Sequence, residues 1–270
     1  MVTQAQKCAT FRALHDRPGA FVIPNPWDVG SARLLQGLGF EALATTSAGF
    51  AHTLGRLDGR TTLEEQLAHF RDLATATDIP INADFENAFA DDPAAAAANV
   101  RRAAETGIAG CSIEDFSRDR AHPIYEFALA VERVQAAVEA TRSLGFPFLL
   151  TARAENFLHG RRDLDDTIRR LQAFEAAGAD VLYAPGLTTL DEVRRVTREV
   201  GKPVNVLVTM IRGATVADLA AAGAKRLSLG SSLAHTAIGA LLRAGREMQE
   251  RGTFDWTQGN ARGADLAAFK

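Results

Sequence analysis

AAAAANVRRAAETGIAGCSIED, residues 94–115, contains one complete helix–turn–strand unit. Residues 94–106 have the apolar spacing of an amphipathic helix. Gly107 follows, where a left-handed helix cap calls for glycine. The run 110–115 is short, apolar and β-type, and it ends in two acids, Glu114 and Asp115. The same unit recurs in both directions. Strand candidates lie at 20–24, 42–47, 79–85, 110–115, 148–155, 180–183, 203–208 and 226–229. Helical runs such as 63–75, 124–144 and 164–177 separate them. Gly39, Gly107, Gly145, Gly178, Gly201 and Gly223 each stand between a helix and the next strand. Thr62 and Asp163 sit as N-caps before two of the helices. Eight strands alternating with helices, with no Pro/Gly-rich linker, predict a single α/β domain over 1–270. It is a (β/α)8 TIM-type barrel with an N-terminal helix at 1–17 and a long eighth helix at 231–252. An open doubly wound sheet would carry a Gly-rich phosphate turn after its first strand; here that turn is Asn25-Pro26-Trp27-Asp28.

Composition removes several classes of function. A hydrophobic fraction of 47% supports a substantial core. The net charge of −3 comes from interspersed signs, which leaves no basic stripe for nucleic acid. No apolar run reaches the roughly 18 residues a membrane span needs, and 1–17 lacks the apolar middle of a signal peptide. Cys8 and Cys111, the only cysteines, stand far apart, which suits reduced thiols in the cytoplasm.

In such a barrel the active site lies at the C-terminal ends of the strands. Strand two leaves through Thr45-Thr46-Ser47-Ala48-Gly49 and strand three through Asn82-Ala83-Asp84-Phe85-Glu86. Strand four leaves through Glu114-Asp115 and strand five through Thr151-Ala152-Arg153-Ala154-Glu155; Asp58 follows strand two in the Gly-rich loop 55–59. Strand alternation puts Asn82, Asp84 and Glu86 on one face, Ser112 with Glu114, and Thr151 with Arg153 and Glu155. Carboxylates converging in this way repel one another unless something compensates them. A hard divalent cation does so, and Mg²⁺ is the natural one, because it keeps several waters and needs few carboxylates. Arg153 then offers a fork to a substrate carboxylate. Asp115 has the opposite parity and reads as a salt-bridge or capping residue; Cys111 reads as a buried, inert thiol.

Taken in order, Asn25-Pro26-Trp27-Asp28-Val29-Gly30-Ser31-Ala32, Ala83-Asp84-Phe85-Glu86, Ser112-Ile113-Glu114-Asp115 and Ala152-Arg153-Ala154-Glu155 resemble the isocitrate lyase/phosphoenolpyruvate mutase superfamily, over about residues 21–254. The resemblance implies a Mg²⁺-dependent barrel that makes or breaks C–C or P–C bonds beside a 2-oxo acid. It also implies a homo-oligomer, a tetramer built from helix-swapped dimers. Asp58, Asp84 and Glu114 match acids that hold Mg²⁺, mostly through water. Thr46, Ser47 and Ala48 match the loop that grips the substrate carboxylate, and Arg153 matches the arginine beside the substrate; Trp27 and Thr209 complete the expected substrate-binding set.

Two departures from the family pattern stand out. Strand three commonly carries Asp-x-Asp, but its first position here is Asn82; Glu86 compensates, giving the metal set Asp58, Asp84, Glu86 and Glu114. The lyases' Lys-Lys-Cys-Gly-His loop, whose cysteine is the acid/base, is replaced by residues 116–123, which contain no cysteine. His122 in that loop is the expected general acid, beside Arg153 and Glu114 in the catalytic set; His159 borders the mouth. The expected reaction is C–C cleavage through an enolate. Decarboxylation of an oxaloacetate-like acid is favoured, because CO₂ departs without a protein acid. The alternatives are P–C chemistry on a phosphonopyruvate-like substrate, a phosphate site at Gly230-Ser231-Ser232 with 209–213, and a non-catalytic 2-oxo acid-binding barrel. A Schiff-base aldolase is excluded, because Lys7, Lys202, Lys225 and Lys270 all lie away from strand exits.

Overall fold

The computed structural model describes residues 2–119 and 121–269; Arg120 of the 116–123 loop lies outside them. All eight expected strands form. β1 (Phe21–Ile23) pairs with β8 (Arg226–Ser228), and the order runs on through β7 (Val204–Leu207), β6 (Val181–Tyr183), β5 (Leu149–Arg153), β4 (Gly110–Glu114) and β3 (Ile81–Ala83) to β2 (Leu43–Ala44). Every pairing is parallel. The seam between β1 and β2 is drawn together just past β1, where the Ala44 N–H donates to the Pro24 carbonyl at 3.0 Å. Asn25 clasps the same region. Its amide donates to the Thr45 carbonyl at 2.9 Å, and its Oδ1 accepts from the Leu229 N–H at 2.8 Å. The result is a nearly closed TIM-type barrel.

The helices are α1 (Gln4–Asp16), α2 (Val29–Gly37), α3 (Ser47–Thr53), α4 (Leu63–Ala76), α5 (Pro93–Ala104), α6 (Phe127–Arg142), α7 (Leu164–Ala176), α8 (Leu190–Glu199), α9 (Val216–Ala221) and α10 (Ser232–Arg251). Thr62 caps α4 in a reciprocal box with Glu65, and Asp163 caps α7 by accepting from the Asp166 N–H at 3.0 Å. Gly39, Gly107, Gly145, Gly178 and Gly223 all have positive φ, as helix-to-strand caps should. Gly201 departs from the expectation. Val200 already leaves α8 in an extended conformation. Gly201 instead donates its N–H to Glu175, and a Cβ there would lie 2.7 Å from the Glu175 carboxylate. No left-handed turn requires that glycine, and a side chain there would only have to displace the end of Glu175.

α1 covers the N-terminal end of the barrel. Phe11 and Leu14 are buried, and the Gln4 amide donates to the carbonyls of Ala104 and Ile108 at 2.6 and 2.8 Å. Gly110 permits this approach, since a Cβ there would meet the Leu149 carbonyl at 2.6 Å and the Phe11 ring at 3.2 Å. All eight strands are shorter than the sequence suggests, two of them for a clear local reason. Strand 42–47 stops at Ala44 because Thr46 becomes the N-cap of α3, accepting from the Gly49 N–H at 3.2 Å. Strand 79–85 stops at Ala83, and Glu86, Ala88 and Phe89 then turn the chain through positive φ values of 48°, 57° and 56°. Among the described residues no helix is long and apolar enough to cross a membrane.

Candidate active site

Two adjoining cavities, of about 200 and 220 Å³, open at the C-terminal ends of the strands. They share Ser47, Asp58, Arg153 and Leu158. Thr46, Ala48 and Asp84 line the first; Glu86 and Glu114 line the second. The expected inward faces of strands two to five therefore do converge. Glu86 arrives there by the left-handed turn and not by strand parity.

Arg153 organises the mouth. Its Nη1 meets Asp84 Oδ1 at 2.6 Å, Nη2 meets Glu114 Oε2 at 3.2 Å and Nε donates to Glu155 Oε1 at 2.9 Å. Its guanidinium carbon also lies 5.1 Å from the Tyr183 ring centre. Each nitrogen already has a carboxylate, so the arginine compensates the acids and is not an open fork. Its three acidic neighbours hold it firmly charged. Burial pushes Glu114 up, against the pull of Arg153. Asp84 is held from its other side by the Ser47 N–H, which donates to Oδ2 at 3.0 Å.

Glu86 is less fully matched. Its Oε2 lies 3.2 Å from Arg118 Nη2, while its buried Oε1 has no hydrogen-bond partner. Burial pushes its carboxyl up to about 7. Arg118, which the sequence reading overlooked, also donates to the Gly59 carbonyl at 2.6 Å and so ties the 116–123 loop to the loop bearing Asp58.

The donor chemistry of the mouth fits Mg²⁺. Asp58, Asp84, Glu86 and Glu114 are all oxygen donors, and Glu86 Oε1 is an orphaned buried acceptor. Among the described residues no three Asp, Glu, His or Cys side chains stand close enough to grip one ion directly. That spacing suits an ion that keeps its waters and unsuits a closed site of the zinc kind.

Three expected site residues fall elsewhere. His122 does not line either cavity: its side chain is 87% exposed and pairs with Asp119 Oδ2 at 3.3 Å. The Phe116–Ile124 bridge and the 2.6 Å bond from Ser117 Oγ to the His122 carbonyl hold the two sides of the loop together. His159 is the imidazole that lines the mouth. Its ring stacks on Phe116, centroids 3.9 Å apart, and its Nε2 lies 3.8 Å from Glu155 Oε2. Thr209 is exposed in the turn Val208–Met210, because strand seven ends at Leu207. Trp27 lines neither cavity and packs against α3: its Cβ lies 3.0 Å from where a Gly49 Cβ would be. Asp115 is structural, as read, pairing with Arg170 at 3.1 Å and accepting the Glu155 N–H at 2.8 Å.

Below the mouth the barrel interior is polar. Asn82, Ser112, Tyr183, Asn205, Arg226 and Ser228 line the first cavity, where such barrels ordinarily hold Val, Ile and Leu. Asn205 and Arg226 were missed, although a polar residue at inward parity within an apolar run was a visible signal.

A parallel eight-stranded barrel with an acid-rich pocket at the strand ends defines a barrel enzyme whose site is built from strand ends and the loops that follow them. The model of the phosphoenolpyruvate phosphomutase family matches residues 11–249, so the chain belongs to that family, within the isocitrate lyase/phosphoenolpyruvate mutase superfamily of lyases and mutases. A Burkholderia cenocepacia J2315 crystal structure described only as a lyase or mutase is 55% identical, with a TM-score of 0.95 over 97% of this chain and 95% of that one. A Mycobacterium tuberculosis H37Rv protein of uncharacterised function is 34% identical over 224 residues, 82% of each chain. The 2-methylisocitrate lyase of Escherichia coli K12 is 29% identical over 207 residues, 74% of this chain and 69% of its own.

Proposed function

We propose that the protein is a Mg²⁺-dependent lyase that binds a small 2-oxo acid and stabilises the enolate formed when the bond at C3 breaks. The observation that carries this reading is Arg153, which holds Asp84, Glu114 and Glu155 in one buried ionic cluster beside Glu86, whose buried Oε1 has no partner. Asp58, Asp84, Glu86 and Glu114 would hold the ion, mostly through water. Bound there, it would supply Lewis-acid polarisation of the substrate's oxo and carboxylate oxygens. Thr46, Ser47 and Ala48 would receive the carboxylate at the first turn of α3, where N–H groups lack intrahelical acceptors and that of Ser47 is already given to Asp84. Arg153 supplies fixed positive charge next to the oxygen on which negative charge develops.

The favoured reaction is decarboxylation of an oxaloacetate-like diacid. The C3–C4 electron pair becomes the C2–C3 π bond, CO₂ leaves, and a proton then returns to C3. His159, held between Phe116 and Glu155, is the side chain placed to hand over that proton. Cleavage of a larger acid, or of a P–C bond, would ask more of this one imidazole. We also place the protein in the cytoplasm, where its buried free thiols Cys8 and Cys111 suit a reducing milieu, and in a homotetramer. Turnover of a panel of 2-oxo acids and phosphonates, with Mg²⁺ and with EDTA, tests the function. Mg²⁺-dependent consumption of an oxaloacetate-like acid is expected; no turnover of any member would leave the non-catalytic binding barrel.

A further inference from the structure

The barrel holds two inward arginines in opposite circumstances. Arg153 at the mouth meets three carboxylates. Arg226, the first residue of β8, is 3% exposed and has no acidic partner among the described residues. Its Nε donates to Asn205 Oδ1 at 2.9 Å and its Nη2 to Thr151 Oγ1 at 3.0 Å, both neutral. Its Nη1 is buried with no partner. The side chain forms part of the floor of the same cavity that Asp84 and Arg153 line above it.

An enclosed guanidinium without a counter-charge is costly, because desolvation is not repaid by any ion pair. Burial pushes this one down to about 9. Its other close contacts are also neutral, and the charge that acts on it, Arg153, has the same sign: Asn205 bridges onward to Ser228 Oγ at 2.9 Å, and the Phe11 ring lies beneath, 6.0 Å from the guanidinium carbon. The cavity therefore has an acid-rich top and a cationic floor. Thr151, which fixes the Arg226 guanidinium, is two residues from Arg153 on β5, so the two arginines stand one barrel layer apart, about 7 Å by strand rise.

We propose that Arg226 forms a carboxylate-binding subsite on the floor of the barrel, taking a carboxylate at C5 or beyond, distinct from any C4 carboxylate lost as CO₂, of an acid whose 2-oxo acid head lies at the mouth. The inference rests on the reading of the mouth as a 2-oxo acid site. It makes the enzyme select for a second negative charge at a fixed distance from the head, by leaving a buried cation unpaired when a monoacid binds.

Calorimetry in Mg²⁺ buffer tests this without turnover. Oxalate reports the mouth alone, and 2-oxopentanoate and 2-oxoglutarate share one chain length but differ by the far carboxylate. Wild-type protein should bind 2-oxoglutarate at least tenfold more tightly than 2-oxopentanoate. Arg226→Gln should erase that preference, and Arg226→Lys, which keeps the charge, should retain part of it. Acetate titrated into the 2-oxopentanoate complex asks whether a separate small carboxylate fills the floor. Acetate binding that Arg226→Gln removes supports the subsite with that second source. Equal affinity of the wild type for the two acids without acetate binding, or a preference surviving in Arg226→Gln, overturns the proposal. The wild-type ratio needs no variant to fold. Normal oxalate binding in that event confines the failure to the floor; loss of oxalate binding as well takes down the reading of the mouth.

Discussion

Asp84 is gripped from two sides: Arg153 Nη1 lies 2.6 Å from its Oδ1, and the Ser47 N–H donates to its Oδ2 at 3.0 Å. This one carboxylate joins β5 to the first turn of α3. Removing it should do more than delete a ligand for Mg²⁺, since Arg153 also loses its shortest contact. Asp84→Ala is expected to abolish Mg²⁺ binding by calorimetry while the far-UV circular dichroism stays native. Unchanged Mg²⁺ affinity in that variant would contradict the metal assignment.

Arg153→Met strips Asp84, Glu114 and Glu155 of their shared counter-charge. Breaking a buried ion pair by removing one partner costs about 3 kcal/mol or more, so denaturant titration should show a loss of that order. The rate constant kcat should fall on the order of 10²-fold, as loss of one preorganised charge contact does. A variant of wild-type stability and rate would mean that the cluster is incidental.

Glu86 gives the pH dependence. Folded, it keeps its proton up to about pH 7; unfolded, it releases it near its ordinary 4.5. Between those values the folded state binds more protons, so raising the pH through that window destabilises the protein, by about 3 kcal/mol in all. Without divalent cations, Glu86→Gln should flatten this slope. Mg²⁺ needs the ionised carboxylate, so it should raise Tm more at pH 8 than at pH 5.5. An equal rise at both would exclude Glu86 from the metal site.

His159 and His122 separate cleanly by exposure, at 25% and 87% of the side chain. His159→Asn should lower turnover by on the order of 10²-fold, the usual worth of a positioned acid or base. His122→Asn should leave kcat within twofold. The reverse ranking in steady-state assays would restore His122 as the proton carrier.

These contrasts mark where sequence periodicity stops being informative. The eight strands and five of the six glycine caps follow from local rules, because a helix end and a strand start are decided within a few residues. The inward faces bearing Asp84, Ser112 and Arg153 follow from alternation. Glu86 reaches the mouth in a turn with three departures from ordinary backbone, at Glu86, Ala88 and Phe89, which no non-glycine residue announces. The choice between His122 and His159 depends on which way the 116–123 loop folds. Arg226 was readable at inward parity, but strand exits drew the reading away from strand starts. That Arg153 serves three acids is a matter of distances, invisible before the barrel closes.

α10 presents Leu241 at 71% and Leu242 at 51% exposure on its outer face, with Ile238 at 37% nearby. The proposed tetramer would bury this patch. Light scattering at micromolar concentration should give a tetramer, and Leu241→Glu with Leu242→Glu should dissociate it. A monomeric wild type would remove helix exchange from the account.

The most direct measurement is kcat/KM of the wild-type protein for oxaloacetate and for 2-methylisocitrate, each with Mg²⁺ and with EDTA, and with spontaneous decay of oxaloacetate subtracted. The account predicts a higher value for oxaloacetate, abolished by EDTA. A higher value for 2-methylisocitrate, or oxaloacetate turnover that persists in EDTA, would contradict it.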